Sequence, residues 1–151
     1  MKNDKRIAIT LPSMDTQRLM ILEMETEKAI TTLKSNLLEK KFPKADGVNY
    51  AELDERIFLT QDQGWVAPPS DLVDAWFNQV KELFDEYRSD RKLGNLLGLQ
   101  GDSADRRIRA YRKGSEVIPY GIWRNFLEVT GRVTPEIKPV LGIFDMEQND
   151  E

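Results

Sequence analysis

Five cations, Arg106, Arg107, Arg109, Arg112 and Lys113, fall within eight consecutive residues of the stretch GDSADRRIRAYRKGSEVIPYGIW, residues 101 to 123. Such a density of guanidinium and ammonium groups has one strong chemistry, the binding of anions. Arg offers a planar fork of donors that fits phosphate oxygens or a guanine edge, and Lys offers a point charge. Taken as a helix from Ala104 to Lys113, the segment puts Ala104, Ile108 and Tyr111 on one side. Arg106, Arg109 and Lys113 lie on the other, with small Ala110 among them. A helix held by its apolar side and presenting arginines opposite can enter a DNA major groove about 12 Å wide, and Ala110 permits close approach. The competing reading is a solvated basic face of the kind many surface helices carry.

The surrounding charge sharpens the contrast. The chain of 151 residues has a formal net charge of −4, yet residues 88 to 132 hold 10 Lys and Arg against 5 Asp and Glu, while residues 51 to 87 hold 2 against 9. A basic island between acidic neighbours points to a polyanionic partner better than the overall pI does. Cysteine and histidine are both absent. Disulfides, thiol nucleophiles, Ser-His-Asp triads and the usual zinc sites are thereby excluded, and no metal or cofactor is expected. Asp54 with Glu55 and Asp85 with Glu86 are acidic pairs without metal-ligand spacing. Ser89-Asp90-Arg91-Lys92 fits S-x-x-K without its companion motifs, so a binding protein is expected over an enzyme. The N-terminus MKNDKRIAITLP lacks an apolar signal core, and no apolar run approaches the roughly 20 residues of a membrane span. A soluble cytoplasmic protein, nucleoid-associated when bound to DNA, follows as the expectation.

Several elements must position the cations. KRIAITL, residues 5 to 11, alternates as a short strand ended by Pro12. From Asp15 to Lys41 there is neither Gly nor Pro, and Leu19, Leu22, Thr26, Ile30, Leu33 and Leu37 form one stripe of a long amphipathic helix. Either its own domain or a dimer seam can cover that stripe. Residues 46 to 69 read as a connector with a helical turn near Tyr50 to Ile57, pinned by Phe58 and Trp65. Ser70 is then expected to cap the main core helix, whose buried stripe is Leu72, Trp76, Val80, Leu83 and Tyr87, joined by Val73, Phe77 and Phe84. Short elements follow in RKLGNLLGL, SADRRIRAYRKG and PYGIWRNFLEVTGRV, with Pro119 at a first helical position. A last turn or two is expected from Thr134 to Leu141, and the end DMEQNDE is an acidic tail. Residues 1 to 45 are thus assigned to dimerisation, 46 to 69 to the connector, 70 to 141 to the DNA-binding domain and 142 to 151 to the tail.

In RKLGNLLGL, Gly94 and Gly98 stand in a helical context at about 1 kcal/mol each relative to Ala. Gly94 lets a second helix cross closely, and Gly98 ends the first helix in the left-handed conformation. Over residues 70 to 141 the sequence resembles the phage-repressor or Cro-like helix-turn-helix domains. LGNLLGL stands for the first motif helix, with Gly94 at the family's small position, and RRIRAYRKG for the recognition helix with its apolar pair Ile108 and Tyr111. PYGIWRNFL follows, and IPYGIW looks like a subgroup found on phages and integrating elements. The stretch LQGDS makes the turn about four residues longer than the family's. The resemblance implies a mainly α, lambda-repressor-like helix-turn-helix bundle, preceded by the strand and long helix, that binds double-stranded DNA.

On this reading Ser103, Arg106 and Arg109 are candidates for base contacts, and Arg107, Arg112, Lys113, Arg91 and Lys92 for phosphate contacts. The leading expectation is a sequence-specific transcriptional regulator acting as a homodimer. An adaptor that turns the same basic face toward an acidic protein is the alternative. A ribbon-helix-helix module built from KRIAITLP is disfavoured, because the helix after it runs on without the break that module needs.

Overall fold

A computed structural model describes residues 9–146 of the chain. It is mainly helical, with α1 (Met14–Asn36), α2 (Ser70–Leu83), α3 (Asp90–Leu96), α4 (Ser103–Lys113) and α5 (Tyr120–Val129), and no strand among the described residues. Residues 5–8 of the expected strand lie outside the described residues, and residues 9–11 carry no strand. No helix among the described residues is long and apolar enough to cross a membrane. The fold divides into two compact units, one made of the chain up to Lys41 with the segment from Ile137 onward, the other of Phe42–Glu136.

In the first unit α1 begins where Ser13 accepts a hydrogen bond from the Thr16 backbone at 3.2 Å. It ends at Asn36, five residues short of the expected Lys41, and the chain turns through Leu37 to Glu39. None of its residues is buried.

The second unit holds the core. Leu72, Val73, Trp76, Phe77 and Val80 of α2 pack against Leu93 of α3, Ala104, Ile108 and Tyr111 of α4, and Trp123, Phe126 and Leu127 of α5. Trp76 and Trp123 stack with ring centres 5.7 Å apart, and Phe77 meets Phe126 at 4.7 Å. Such pairs add to the burial of their large apolar surfaces. Tyr111 is buried and its hydroxyl has no hydrogen-bond partner among the described residues. A buried, unpaired hydroxyl costs about 1 to 3 kcal/mol. Tyr111→Phe should therefore leave stability unchanged or raise it by about 1 kcal/mol, a result read directly from thermal or urea melts.

Four local expectations require correction. The α2 stripe stops at Val80. Leu83 and Phe84 are exposed, because the backbone leaves the helix at Phe84 and Asp85–Tyr87 forms a 3-10 turn. Acidic Asp85 and Glu86 sit at the negative end of the helix dipole, which opposes continuation. The cap of α2 is Pro69 with no side-chain hydrogen bond, and Ser70 is the first helical residue. Pro119 likewise occupies the cap of α5, one residue ahead of the helix. No helical turn forms between Thr134 and Leu141. Arg124 Nη2 donates to the Thr134 carbonyl and the Glu136 amide donates to Glu128, drawing off backbone groups a turn would use. Pro139 supplies no amide.

The compact unit also begins before residue 70. Ile57, within the expected connector, is buried, and its carbonyl accepts from Trp123 Nε1 at 3.1 Å. Phe58 packs on Trp76, Trp65 meets Tyr120 edge-on, and Arg124 Nη1 donates to the Phe58 carbonyl. Residues 50–63 form three 3-10 turns clamped onto α5 and α2 by these contacts.

Candidate nucleic-acid interface

The basic stretch is helix α4, and its placement begins with two glycines. A Cβ on Gly94 would lie 3.1 Å from Ala104 Cβ, 3.2 Å from Ile108 Cγ1 and 3.3 Å from the Ala104 carbonyl. The backbones of α3 and α4 therefore cross so closely that a methyl group would fit only if its neighbours gave way by a few tenths of an ångström. Because a carbonyl and two buried side chains would have to shift by a few tenths of an ångström in a packed core, Gly94→Ala is expected to cost about 1 kcal/mol despite Ala being the better helix former. A lowered midpoint in urea unfolding is the check. At the far end Gly114 closes α4 at φ 81, and a Cβ there would lie 2.8 Å from Ser70 Oγ. Both the left-handed conformation and the contact with α2 require glycine.

The long turn between α3 and α4 is a packed element. Gly98 at φ 93 ends α3 as the sequence suggests, the Leu99 amide donates to the Gly94 carbonyl at 2.8 Å, and Leu97 and Leu99 are buried on either side of the glycine. A second left-handed glycine, Gly101, accepts from the Ala104 amide as α4 starts. The added residues thus bury Leu99 under the turn beside Leu97, the last residue before the glycine, and α5 fastens the turn through Asn125 Nδ2 to the Leu97 carbonyl at 3.4 Å.

With Ala104, Ile108 and Tyr111 buried, α4 turns its opposite side to solvent. Arg106 and Lys113 are exposed, Arg107 is half-buried, and none of the three has an ion-pair partner among the described residues. Arg109 is exposed and pairs with Asp105 one turn back at 2.6 Å. Ser103 opens the helix, its hydroxyl donating to the Gln100 carbonyl. On α3, Lys92 is exposed and Arg91 pairs at 3.3 Å with Asp102, whose side chain is fully exposed. These surface pairs are worth a few tenths of a kcal/mol each, so both arginines can exchange a carboxylate for a phosphate at little cost.

Arg112 departs from its expected phosphate role. Its Nε donates to Asp74 of α2 at 2.8 Å, and its Nη1 donates to both carboxylate oxygens of Asp90 of α3 at 2.8 Å. Its side chain is 21% exposed and that of Asp90 10%. Burial disfavours the guanidinium charge, but hydrogen bonds and attraction from the two carboxylates outweigh it and hold the pKa above the ordinary value. Lys81 of α2 also reaches Asp90 at 2.8 Å. Arg112 thus pins α4 to α2 and α3. Arg112→Ala is expected to cost about 2 kcal/mol, below the 3 to 5 typical of a fully buried pair because Lys81 still faces Asp90 and the site is partly wet. Chemical denaturation of the variant measures this.

One cation that spacing alone does not mark is Arg132. Its guanidinium lies 4.0 Å from the centre of the Trp76 ring, and burial pushes its pKa down. It serves the core and not the basic face. Among the described residues no group of three or more acidic side chains could hold a metal ion.

The resulting surface can bind an extended anion. It offers Arg106, Arg107 and Lys113 without internal partners, Lys92, and the weakly paired Arg91 and Arg109, on two helices locked by a glycine crossing. No protein-family model matches the chain, and no curated protein or solved structure is significantly similar to it.

Proposed function

We propose that the chain is a sequence-specific double-stranded DNA-binding transcriptional regulator of the lambda-repressor-like helix-turn-helix kind, acting as a homodimer in the cytoplasm. The observation that carries this reading is the two-sidedness of α4: three buried core residues on one side, and on the other exposed cations, of which Arg106 and Lys113 have no ion-pair partner among the described residues. A surface helix with no target gains nothing from cations left unpaired beside one another, whereas a helix lying in a groove meets phosphate on both flanks. In this reading Arg106 and Arg109, with Ser103 at the helix start, contact bases. Arg107, Lys113, Arg91 and Lys92 meet phosphates. One such helix reads only a few base pairs, so a two-fold pair reading a palindrome supplies the specificity.

Fully exposed Asp102, with Asp105, favours a second reading as an adaptor, since carboxylates at the start of α4 repel phosphate. Repeated selection from a random duplex pool decides between the two. The regulator reading expects an enriched motif with two-fold symmetry. A folded protein that enriches nothing supports the adaptor instead.

A further inference from the structure

Helix α1 runs for 23 residues with none of them buried. A helix of mixed composition gains too little from its own hydrogen bonds to stand unsupported in water and draws its stability from burying an apolar face. That face is present. At roughly 100° per residue, Leu19, Leu22, Thr26, Ile30, Leu33 and Leu37 fall on one stripe, and Leu19, Leu22 and Ile30 are 43%, 49% and 40% exposed. Residues Ile143–Met146 flank a groove with Asp15, Arg18, Leu19 and Leu22 but leave both leucines this open. Thr26 does not spoil the stripe, because its hydroxyl donates to the Leu22 carbonyl at 2.7 Å and so needs no further partner.

The charges beside the stripe distinguish the possible occupants. Residues 14–27 carry four acids, Asp15, Glu23, Glu25 and Glu27, against Arg18 alone, while residues 28–36 carry Lys28 and Lys34 and no acid. The helix dipole does not explain this, since it acts over the terminal turns and Glu23 to Glu27 lie mid-helix. Glu23 and Glu27 stand four apart, a repulsive spacing, and neither they nor Lys34 has an ion-pair partner among the described residues. A second copy aligned parallel would set these acids beside their own counterparts. A second copy aligned antiparallel sets the acidic half of each helix on the basic half of the other.

We infer that two copies of the chain dock through α1 in antiparallel orientation, with a two-fold axis near Lys28. This deepens the homodimer reading above and rests on it. In that register Leu19 meets Leu37 of the second copy, Leu22 meets Leu33, and Thr26 meets Ile30. Glu23 and Lys34 lie on the same flank of the stripe, so the pairing brings each Glu23 beside the other copy's Lys34, twice per dimer. The helical overlap from Leu19 to Asn36 is about 26 Å long, with Leu37 at the cap just beyond it.

The chain contains no cysteine, so introduced thiols report position without background. Full-length Leu19→Cys and Leu37→Cys proteins are oxidised separately and as an equimolar mixture, with sedimentation of the reduced proteins measuring assembly. The antiparallel dimer gives efficient cross-linking only in the mixture. Efficient cross-linking of Leu19→Cys with itself leaves the α1 dimer standing and overturns the orientation. Dimers that cross-link in no arm place the contact elsewhere, and a wild-type chain that stays monomeric removes the homodimer reading itself. As a second measurement, Glu23→Lys should weaken the dimer roughly tenfold through its two reversed contacts. The double variant Glu23→Lys with Lys34→Glu should return to within about twofold of wild type. A double variant no tighter than the single one overturns the Glu23 to Lys34 pairing and the register built on it.

Discussion

Ile108→Asp is expected to abolish the cooperative melt of the unit spanning Phe42–Glu136. Ile108 is wholly buried, and its Cγ1 would lie 3.2 Å from a Cβ on Gly94, where α3 and α4 cross closely. The substitution removes a core side chain and sets a carboxylate among Leu93, Ala104 and Tyr111. An unpaired charge there costs more than the lost packing, and together they are expected to exceed about 5 kcal/mol, the lower end of the stability of an ordinary domain. The conservative Ile108→Val, which deletes one methyl group, should cost only about 1 kcal/mol. Far-ultraviolet circular dichroism followed through a thermal ramp distinguishes them. A cooperative Ile108→Asp melt near the wild-type temperature would mean that this side of α4 faces solvent and the basic side faces inward, reversing the assignment of its two faces.

That assignment was legible in the sequence because it depends on local spacing. Ala104, Ile108 and Tyr111 recur at helical intervals, and Gly94, Gly98 and Gly114 mark a close crossing and two left-handed turns that other residues resist. The glycines fix how α3 meets α4, so the frame of the candidate site is legible in the sequence. What could not be read depends on partners distant in the chain. Arg112 shares the spacing of its neighbours, and only the fold brings Asp74 and Asp90 to it, from 38 and 22 residues away. Ile57 lies in a stretch without periodicity, and its burial depends on Trp123, 66 residues on. Arg132 looks like a surface cation until Trp76 is placed beneath it. The stretch LQGDS reads as added length in the turn, and buried Leu99, which makes it part of the core, lies past the glycine that ends the helical period. In α2 the apolar pattern continued past Leu83 while the helix did not, because end effects from Asp85 and Glu86 compete with periodicity at a terminus.

The second large effect concerns binding. Arg106→Ala and Arg109→Ala are each expected to weaken association with a selected duplex by about 1 to 3 kcal/mol, the range for an arginine that reads a base edge. Neither change should disturb the fold. Arg106 has no ion-pair partner among the described residues, and the pair of Arg109 with Asp105 is exposed and contributes at most a few tenths of a kcal/mol. Phosphate contacts behave differently. Arg107→Ala or Lys113→Ala should weaken selected and unrelated duplexes alike and flatten the dependence of affinity on salt.

The most direct measurement is a fluorescence anisotropy titration of a selected, labelled duplex with wild-type protein and with the Arg106→Ala/Arg109→Ala double variant, at one fixed salt concentration near physiological, each protein checked by its thermal melt. The basic face of α4 as the DNA-reading surface predicts an unchanged melt and an affinity loss of at least about 30-fold. A folded double variant that binds the duplex as tightly as wild type would contradict it.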